Sequence, residues 1–230
     1  TVDSRIAVYD QLGYGAVSIT DHDYVSYPWD QFGLTESPLI AIAGNELSKN
    51  AHMLSYFSTY FDQKGQGPSA TVGMLQNIAN AGGRGGFLYI AHPSRSGGAT
   101  RDPAYDMQLL AYPQVRGLEV LNAGQFTNNH SEELWDTLLT DTMPGRPIWG
   151  TASDDSHSDS LSTIGTGWTY LLLSEKTQSA AKEAMINGQT YFSSWRVEKG
   201  KDDNKQDPGV PAPTIEEIIV DQQTGVIELR

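Results

Sequence analysis

The chain contains no cysteine among its 230 residues. This absence excludes a disulfide framework, a thiolate zinc site and a cysteine nucleophile, and it leaves the redox compartment open. Basic residues are scarce as well, since 15 Lys and Arg stand against 28 Asp and Glu. The resulting formal charge of −13 opposes binding of nucleic acid or of an anionic membrane surface.

Long hydrophobic runs are also missing. The longest apolar stretches, 39–43 and 87–91, are far shorter than the ~20 residues that a membrane helix needs. We therefore predict a soluble protein, and the composition is compatible with export without specifying it.

Short apolar stretches alternate along the chain with segments of helical periodicity. This alternation is typical of parallel βαβ units, and about seven strands favour a β/α barrel over an open doubly wound sheet. We predict an α/β domain over residues 1–197, followed over 198–230 by a charged, proline-rich loop and a β-hairpin. The predicted strands are 16–20, 39–43, 52–57, 86–91, 117–121, 148–152 and 168–173, and the predicted helices are 2–12, 69–82, 102–110, 174–185 and one that starts at Ser131.

Histidines and carboxylates follow several of these predicted strands. Because the carboxyl ends of parallel strands meet at one mouth of a barrel, such residues are expected to lie close together. Imidazole and carboxylate groups without sulfur are the ligands of zinc, manganese or iron in hydrolytic centres. The sequence therefore predicts a metal site at the carboxyl ends of the strands.

Five polar motifs follow one another along the chain: Thr20-Asp21-His22-Asp23, Gly44-Asn45-Glu46, Ala51-His52-Met53-Leu54, Ala91-His92-Pro93 and Asp155-Ser156-His157. Their order resembles that of the polymerase and histidinol phosphatase (PHP) family of metal-dependent hydrolases. The resemblance covers about residues 1–194. Three further stretches, 117–122, 135–139 and 152–168, resemble the branch that includes carbaryl hydrolase-type proteins.

The resemblance implies a distorted seven-stranded β/α barrel with up to three divalent ions, Zn, Mn or Fe, at its carboxyl end. Glu46 would bridge two of these ions. Asp155 is preferred to Asp154 as a ligand because the family spacing is Asp-x-His, and Asp154 stays as the alternative. The implied ligand sets are Glu46 with His52 and His92, Glu46 with Asp155, and His22 with His157.

One motif of the family is missing. The family opens with His-x-His on its first strand, upstream of the predicted helix 2–12, and this sequence has no such pair. We expect either a truncated amino terminus or a natural loss, and in both cases the first barrel strand is absent from the chain. Fewer than three ions are then expected per chain.

Two residues are assigned catalytic roles beside the metal ligands. Asp21, next to His22, would support that imidazole, because metal-bound histidines usually donate their second nitrogen to an oxygen. A loop-capping role for Asp21 is the alternative. Arg95 would clamp a phosphate or carboxylate with its planar fork, and an exposed ion pair is its alternative. Asn122 is either a substrate contact or a turn residue.

The function predicted from these residues is hydrolysis of a small-molecule phosphate ester by a metal-activated water. Carboxyl or carbamate esters are an alternative substrate class. A second alternative is a non-catalytic binding domain with a partial metal site. A third is an amidohydrolase-type barrel, which would need a modified lysine at a strand end, and Lys49 is the candidate. His130 is predicted to be a surface residue. The oligomeric state is not specified by the sequence.

Overall fold

The computed structural model describes residues 1–48, 52–61, 70–93, 110–122, 131–158, 164–194, 214–221 and 223–230, with only the backbone described for 70–74. The chain divides into two compact units, Thr1–Arg196 and Val197–Arg230. None of the described helices is both long enough and apolar enough to cross a membrane.

The first unit is a mixed α/β structure, as predicted. Its described helices are α1 (Val2–Gln11), α2 (Ala70–Gly83), α3 (Ser131–Thr142) and α4 (Gln178–Asn187), with a short 3-10 turn at Trp29–Phe32. Its described strands are β1 (Ala16–Ser18), β2 (Ile40–Ile42), β3 (Gly44–Leu47), β4 (Met53–Tyr56), β5 (Phe87–Ile90), β6 (Val115–Asn122), β7 (Trp149–Ser153), β8 (Gly167–Leu171) and β9 (Thr190–Ser194).

A five-stranded sheet in the order β3-β4-β5-β6-β7 forms the centre of this unit. Strands β5, β6 and β7 are parallel, whereas β4 runs antiparallel to both of its neighbours. Strands β1 and β2 form a parallel pair, and β8 and β9 form an antiparallel pair. These sheets do not close into a barrel within the described part of the chain.

The predicted parallel βαβ units do not extend to β3 and β4, which pair antiparallel. Residues 48–52 connect these strands, and so short a connection permits only antiparallel pairing, because a parallel crossover needs about a dozen residues. The predicted strand 39–43 corresponds to β2. Glu46 lies in a further strand, β3, which the sequence did not predict and which belongs to the five-stranded sheet.

Gly44 allows this change of sheet. A Cβ atom on Gly44 would lie 2.6 Å from the carbonyl oxygen of Ser55 and would also collide with the Ser18 side chain. Only glycine therefore lets β3 pass this close to β1 and β4. A parallel bridge between His22 and Glu46 then connects the end of β1 to β3.

The helical predictions agree with the structure in most places. Helix α4 begins later than predicted, because Thr177 rather than Ser174 is its N-cap, and the Thr177 side chain accepts a hydrogen bond from the amide of Ala180. Gly188 ends that helix in a left-handed conformation, as predicted. The predicted helix 102–110 lies outside the described residues except for Leu110.

The central sheet buries apolar side chains on both faces. Helices α2 and α3 cover one face, where Leu88, Leu118 and Leu138 are fully buried. The other face packs Leu54, Phe87 and Tyr89 against Met185 of α4. Each fully buried side chain of this size contributes about 1.5–3 kcal/mol of hydrophobic stabilisation. Glu46 stands opposite Leu54 in the β3–β4 ladder, so the sheet also fixes the position of its carboxylate.

The second unit contains an antiparallel hairpin of β10 (Ile218–Val220) and β11 (Ile227–Leu229). It lies where the sequence predicts one. The Asp221 side chain accepts hydrogen bonds from the amides of Gln223 and Thr224 in the connecting turn. This is the local bonding that makes aspartate favourable in turns.

Candidate metal centre

A cavity of about 630 Å³ lies at the carboxyl ends of β1, β5, β6 and β7 in the first unit. Helix α1 contributes one wall, and Glu46 of β3 contributes part of the floor. Polar residues that follow the parallel strands therefore face one space, as the sequence predicts for carboxyl-end residues. The predicted site residues that line the cavity are Asp21, His22, Glu46, His92, Asp155 and His157.

Glu46 is the centre of a cluster of imidazoles. Its carboxylate lies 2.6 Å from Nδ1 of His52, 3.2 Å from Nε2 of His92 and 3.5 Å from Nδ1 of His22. The Glu46 side chain is only 6% exposed, whereas His52 and His22 are about half exposed. A buried carboxylate thus has three histidines around it. His22 and His92 line the cavity, whereas His52 is partly exposed outside its lining.

The electrostatics of the cluster favour an ionised Glu46. Burial alone would raise the pKa of Glu46, but the hydrogen bonds and positive charges of His52 and His92 outweigh it and lower the pKa to about 2. Burial lowers the pKa of His92, but Glu46, Glu119 and Asp155 outweigh this effect, so the pKa lies above its usual value. The cluster therefore keeps a carboxylate in place for cationic partners.

His92 has an unusual backbone and an unusual side chain. Its φ is +29°, a left-handed value that non-glycine residues rarely adopt and that is concentrated at functional sites. Its Nδ1 atom is buried and has no hydrogen-bond partner among the described residues. A buried polar atom without a partner is costly in an apo protein, and ligation of an ion would satisfy it.

Asp155 and His157 lie on the segment after β7. Asp155 also has a left-handed backbone, with φ of +47°. The Nδ1 atom of His157 lies 3.6 Å from the Asp155 carboxylate, and the His157 ring lies 5.7 Å from the ring of His22. The segment therefore brings a second acid and a further imidazole to the His22 side of the cavity.

Asp154 has a different environment from Asp155. Its carboxylate accepts hydrogen bonds from the amides of Gly165, Thr166 and Gly167 and from the Tyr9 hydroxyl, at 2.7–3.0 Å. Burial, followed by the negative charge of Asp154, raises the pKa of Tyr9 well above its usual range. Both oxygens of Asp154 thus hold the segment against the following turn, which favours Asp155 as the residue available to an ion.

Of the two residues predicted to be catalytic, Asp21 is among the described residues and Arg95 is not. The Asp21 carboxylate accepts a short hydrogen bond from the Ser26 hydroxyl, which is the contact expected if Asp21 caps the following loop. Asp21 also lines the cavity. Nδ1 of His22 instead contacts the Ser48 hydroxyl at 2.5 Å. Arg95, Lys49 and His130 lie outside the described residues, so their assigned roles stay predictions.

Two residues at the cavity were not assigned a role from the sequence. Glu119 is 2% exposed and lines the cavity floor. Burial raises its pKa, against the lowering effect of hydrogen bonds from Ser153, His92 and Asn122. Arg5 of α1 donates to the Ser156 hydroxyl at 2.7 Å and to the Ser158 carbonyl at 2.6 Å. A lone acid within the apolar strand 117–121 was the signal for Glu119, whereas nothing local marks Arg5.

The donor set fits a divalent ion. His22, Glu46 and His52 each offer one ligand atom, and these atoms lie within 4.8 Å of one another. Nitrogen and carboxylate oxygen donors in this combination suit zinc, manganese or iron. The Nε2 atom of His92, 3.2 Å from Glu46, is a further nitrogen at the same carboxylate.

Comparison with known proteins shows that the fold of this chain is similar to that of a solved structure. No family model matches the chain, and no curated protein matches it. A solved structure from Bacteroides vulgatus ATCC 8482, a two-domain protein containing a predicted PHP-like metal-dependent phosphoesterase, matches with a TM-score of 0.62 and 16% identity. The match covers 83% of this chain, and the chain spans 59% of the length of that structure. The chain therefore shares its fold with part of that two-domain protein.

A second solved structure, of a proposed metal-dependent phosphoesterase from Bifidobacterium adolescentis ATCC 15703, matches with a TM-score of 0.49 and 15% identity. That match covers 69% of this chain and 83% of the other chain.

Proposed function

We propose that the first unit is a PHP-type metal-dependent hydrolase of small-molecule phosphate esters. The observation that carries this proposal is the convergence of three histidines on the buried Glu46 carboxylate, which lines the cavity. The fold shared with a protein described as containing a PHP-like metal-dependent phosphoesterase supports it. Completion of the fold as a distorted seven-stranded barrel, and membership of the carbaryl hydrolase-type branch, are further parts of the proposal that rest on sequence motifs.

In this proposal the residues around Glu46 hold the ions. Glu46 with His52 and His92 would form one site, Asp155 would share Glu46 in another, and His22 with His157 would complete a third. A bound divalent ion would supply Lewis-acid chemistry, polarising the ester and activating a water molecule. We expect Zn, Mn or Fe, at fewer than three ions per chain.

Several further residues set the polarity and the charge of the cavity. Leu54 and Tyr56 form an apolar wall beside Glu46, which lowers the local dielectric and strengthens charge interactions. A phosphate group entering a protein of net charge −13 needs local positive charge. Bound ions would provide most of it, Arg5 lies on the cavity wall, and Arg95 is proposed as a clamp for the anionic group. Asp21 is proposed to support the His22 side of the site.

The experiment is a hydrolysis assay with and without added metal. The purified chain is incubated with p-nitrophenyl phosphate, bis-p-nitrophenyl phosphate and p-nitrophenyl acetate in Mn²⁺ or Zn²⁺. We expect turnover of a phosphate ester that a chelator abolishes and that Glu46→Gln lowers by at least about 100-fold, more than loss of an outer-shell partner costs. Leu138→Ala, a core change on the other face of the sheet, is the matched control.

Other results of this assay would favour the alternative functions or refute the proposal. Metal-dependent turnover of the carboxyl ester alone would replace the phosphate ester by a carboxyl or carbamate ester. Stoichiometric metal binding without turnover of any ester would favour the non-catalytic binding domain. Turnover that is equal with metal and with chelator would refute the proposal.

A further inference from the structure

Glu119 is a buried carboxylate that the proposed function does not use. It lies in β6, between Leu118 and Val120, and all three residues are at most 3% exposed. A charged side chain is almost never buried this completely unless it is paired or hydrogen-bonded. Glu119 lines the same cavity as Glu46 and His92, so we expect it to have a role at this site.

Three donors surround the Glu119 carboxylate. The backbone amide of His92 donates to Oε2 at 2.7 Å, and the side-chain amide of Asn122 donates to the same oxygen at 3.0 Å. The Ser153 hydroxyl donates a short hydrogen bond to Oε1. These donors lie at the ends of three parallel strands, β5, β6 and β7. Glu119 therefore ties together the strand ends from which the cavity is built.

The hydrogen bond to His92 acts on a strained residue. A non-glycine residue with φ of +29° keeps this conformation only when its surroundings enforce it. The hydrogen bond from the His92 amide to Oε2 of Glu119 is 2.7 Å long and comes from a neighbouring strand, so it is suited to that task. The conformation in turn determines where the imidazole points, and its Nε2 lies 3.2 Å from Glu46.

We infer that Glu119 is a positioning residue whose carboxylate fixes the backbone of His92 and so aims the imidazole at Glu46. This inference rests on the proposed function of the site as a metal centre. Direct ligation by Glu119 is disfavoured because both of its oxygens already accept hydrogen bonds within the fold. The length of the side chain, rather than its charge, is the property that matters.

Two conservative substitutions separate length from charge. Glu119→Gln keeps the length and removes the charge. Its carbonyl oxygen accepts from His92 and Asn122, and its amide donates to the Ser153 hydroxyl, which rotates to accept. Glu119→Asp keeps the charge but withdraws the carboxylate by one methylene, out of reach of the His92 amide. A positioning role predicts that Asp impairs the site and that Gln preserves it, and a purely electrostatic role predicts the reverse.

The first measurement is the rate of hydrogen exchange at the His92 amide in metal-free protein, monitored by NMR. We expect exchange in Glu119→Asp to be faster by about tenfold or more, and exchange in Glu119→Gln to stay close to wild type. Leu138→Ala is the control for a general loss of stability, since it affects the core without touching Glu119. Slow exchange of the His92 amide in Glu119→Asp would overturn the inference.

The second measurement is titration with Co²⁺, read by visible absorption. We expect the Co²⁺ affinity of Glu119→Asp to fall about 10–100-fold with a changed spectrum, as is typical for loss of an outer-shell partner, and that of Glu119→Gln to change less than about threefold. Equal losses in both variants, or no loss in either, would contradict positioning. If wild type itself binds no Co²⁺, the proposed function fails, while the exchange experiment still decides the role of Glu119.

Discussion

The two sides of the cavity are built in different ways. On one side, Glu46, His52 and His92 lie on or next to β3, β4 and β5, and the side chains of Glu46 and His92 are only 6% and 11% exposed. On the other side, Asp155 and His157 lie on the irregular segment after β7, and the His157 side chain is 67% exposed. The strand side is part of the sheet, whereas the segment side depends on side-chain tethers.

The two sides of the cavity therefore differ in how easily they can move. The β3–β4 ladder fixes the backbone of Glu46, and the Glu119 carboxylate of the same sheet accepts the hydrogen bond from the His92 amide. The segment is held mainly by Asp154 from within and by Arg5 from helix α1. One half of the site is therefore preorganised by the fold, and the other half can be loosened while the sheet stays intact.

The largest effect is expected from removing the inner tether. Asp154→Ala would leave the amides of Gly165, Thr166 and Gly167 and the Tyr9 hydroxyl without their acceptor. We expect a loss of about 3–5 kcal/mol in the free energy of unfolding. A hydrogen bond to a charged group contributes about 1.5–3 kcal/mol, and contributions within one cluster of contacting groups are not additive. Urea denaturation measures it, with Asp154→Asn as the milder matched variant. A loss below about 1 kcal/mol would show that the segment is held in another way.

A somewhat smaller effect on the strand side depends on pH. The ordinary pKa of Glu46 is 4.5 and its folded value is about 2, so its ionised form stabilises the fold above pH 4.5, and this stability is lost as pH falls towards 2. The pKa of His92 is raised above 6.5, so its protonated form contributes below that pH and the contribution is lost as pH rises further. The stabilisation is therefore greatest between about pH 4.5 and 6.5.

This window is tested by comparing wild type with Glu46→Gln in the presence of a chelator. A shift of this size corresponds to about 3 kcal/mol, since one pKa unit is about 1.4 kcal/mol. We expect the difference in unfolding free energy to approach this value near pH 5.5 and to shrink towards both pH 3 and pH 9. A difference that is constant over this range would mean that the ion pairs around Glu46 do not stabilise the metal-free fold.

The smallest effect is expected from removing the outer tether. Arg5→Ala removes the hydrogen bonds to Ser156 and Ser158, which we expect to cost about 1 kcal/mol because the side chain is partly solvated. Hydrogen exchange of residues 153–158 should accelerate, while exchange of β3, β4 and β5 stays unchanged. Arg5→Lys is the matched control, because it keeps the charge and can replace only part of the fork. Equal acceleration on both sides would remove the distinction between them.

The sequence predicted local features of the fold well. Strand and helix positions followed from short apolar runs, periodicity and caps, and the mixed α/β class was predicted correctly. Strand β9 was missed because its half-buried residues show no clear apolar pattern. The antiparallel direction of β4 was missed because pairing direction is a relation between segments, which a local pattern does not contain.

The candidate site was predicted in part for the same reason. His22 and His92 follow strands that have parallel neighbours, so their meeting in one cavity follows from parallel strands having a common mouth. Glu46 reaches the same cavity from within β3, which the sequence did not show as a strand. Glu119 was missed as a positioning residue because its partners are a backbone amide and side chains on other strands. Asp154 and Asp155 are adjacent, and only their surroundings distinguish the acid that accepts hydrogen bonds from the turn 165–167 from the acid that lies beside His157.

The sequence by itself determined the chemistry: histidines and carboxylates without cysteine, placed after apolar strands, in a chain of strong negative charge. The tertiary structure decided the geometry: which oxygen faces which nitrogen, which acid is buried, and how the backbone of His92 is held. The physical reason is that residue type sets charge and donor capacity at every position, whereas burial, distance and hydrogen bonding depend on segments far apart in the chain.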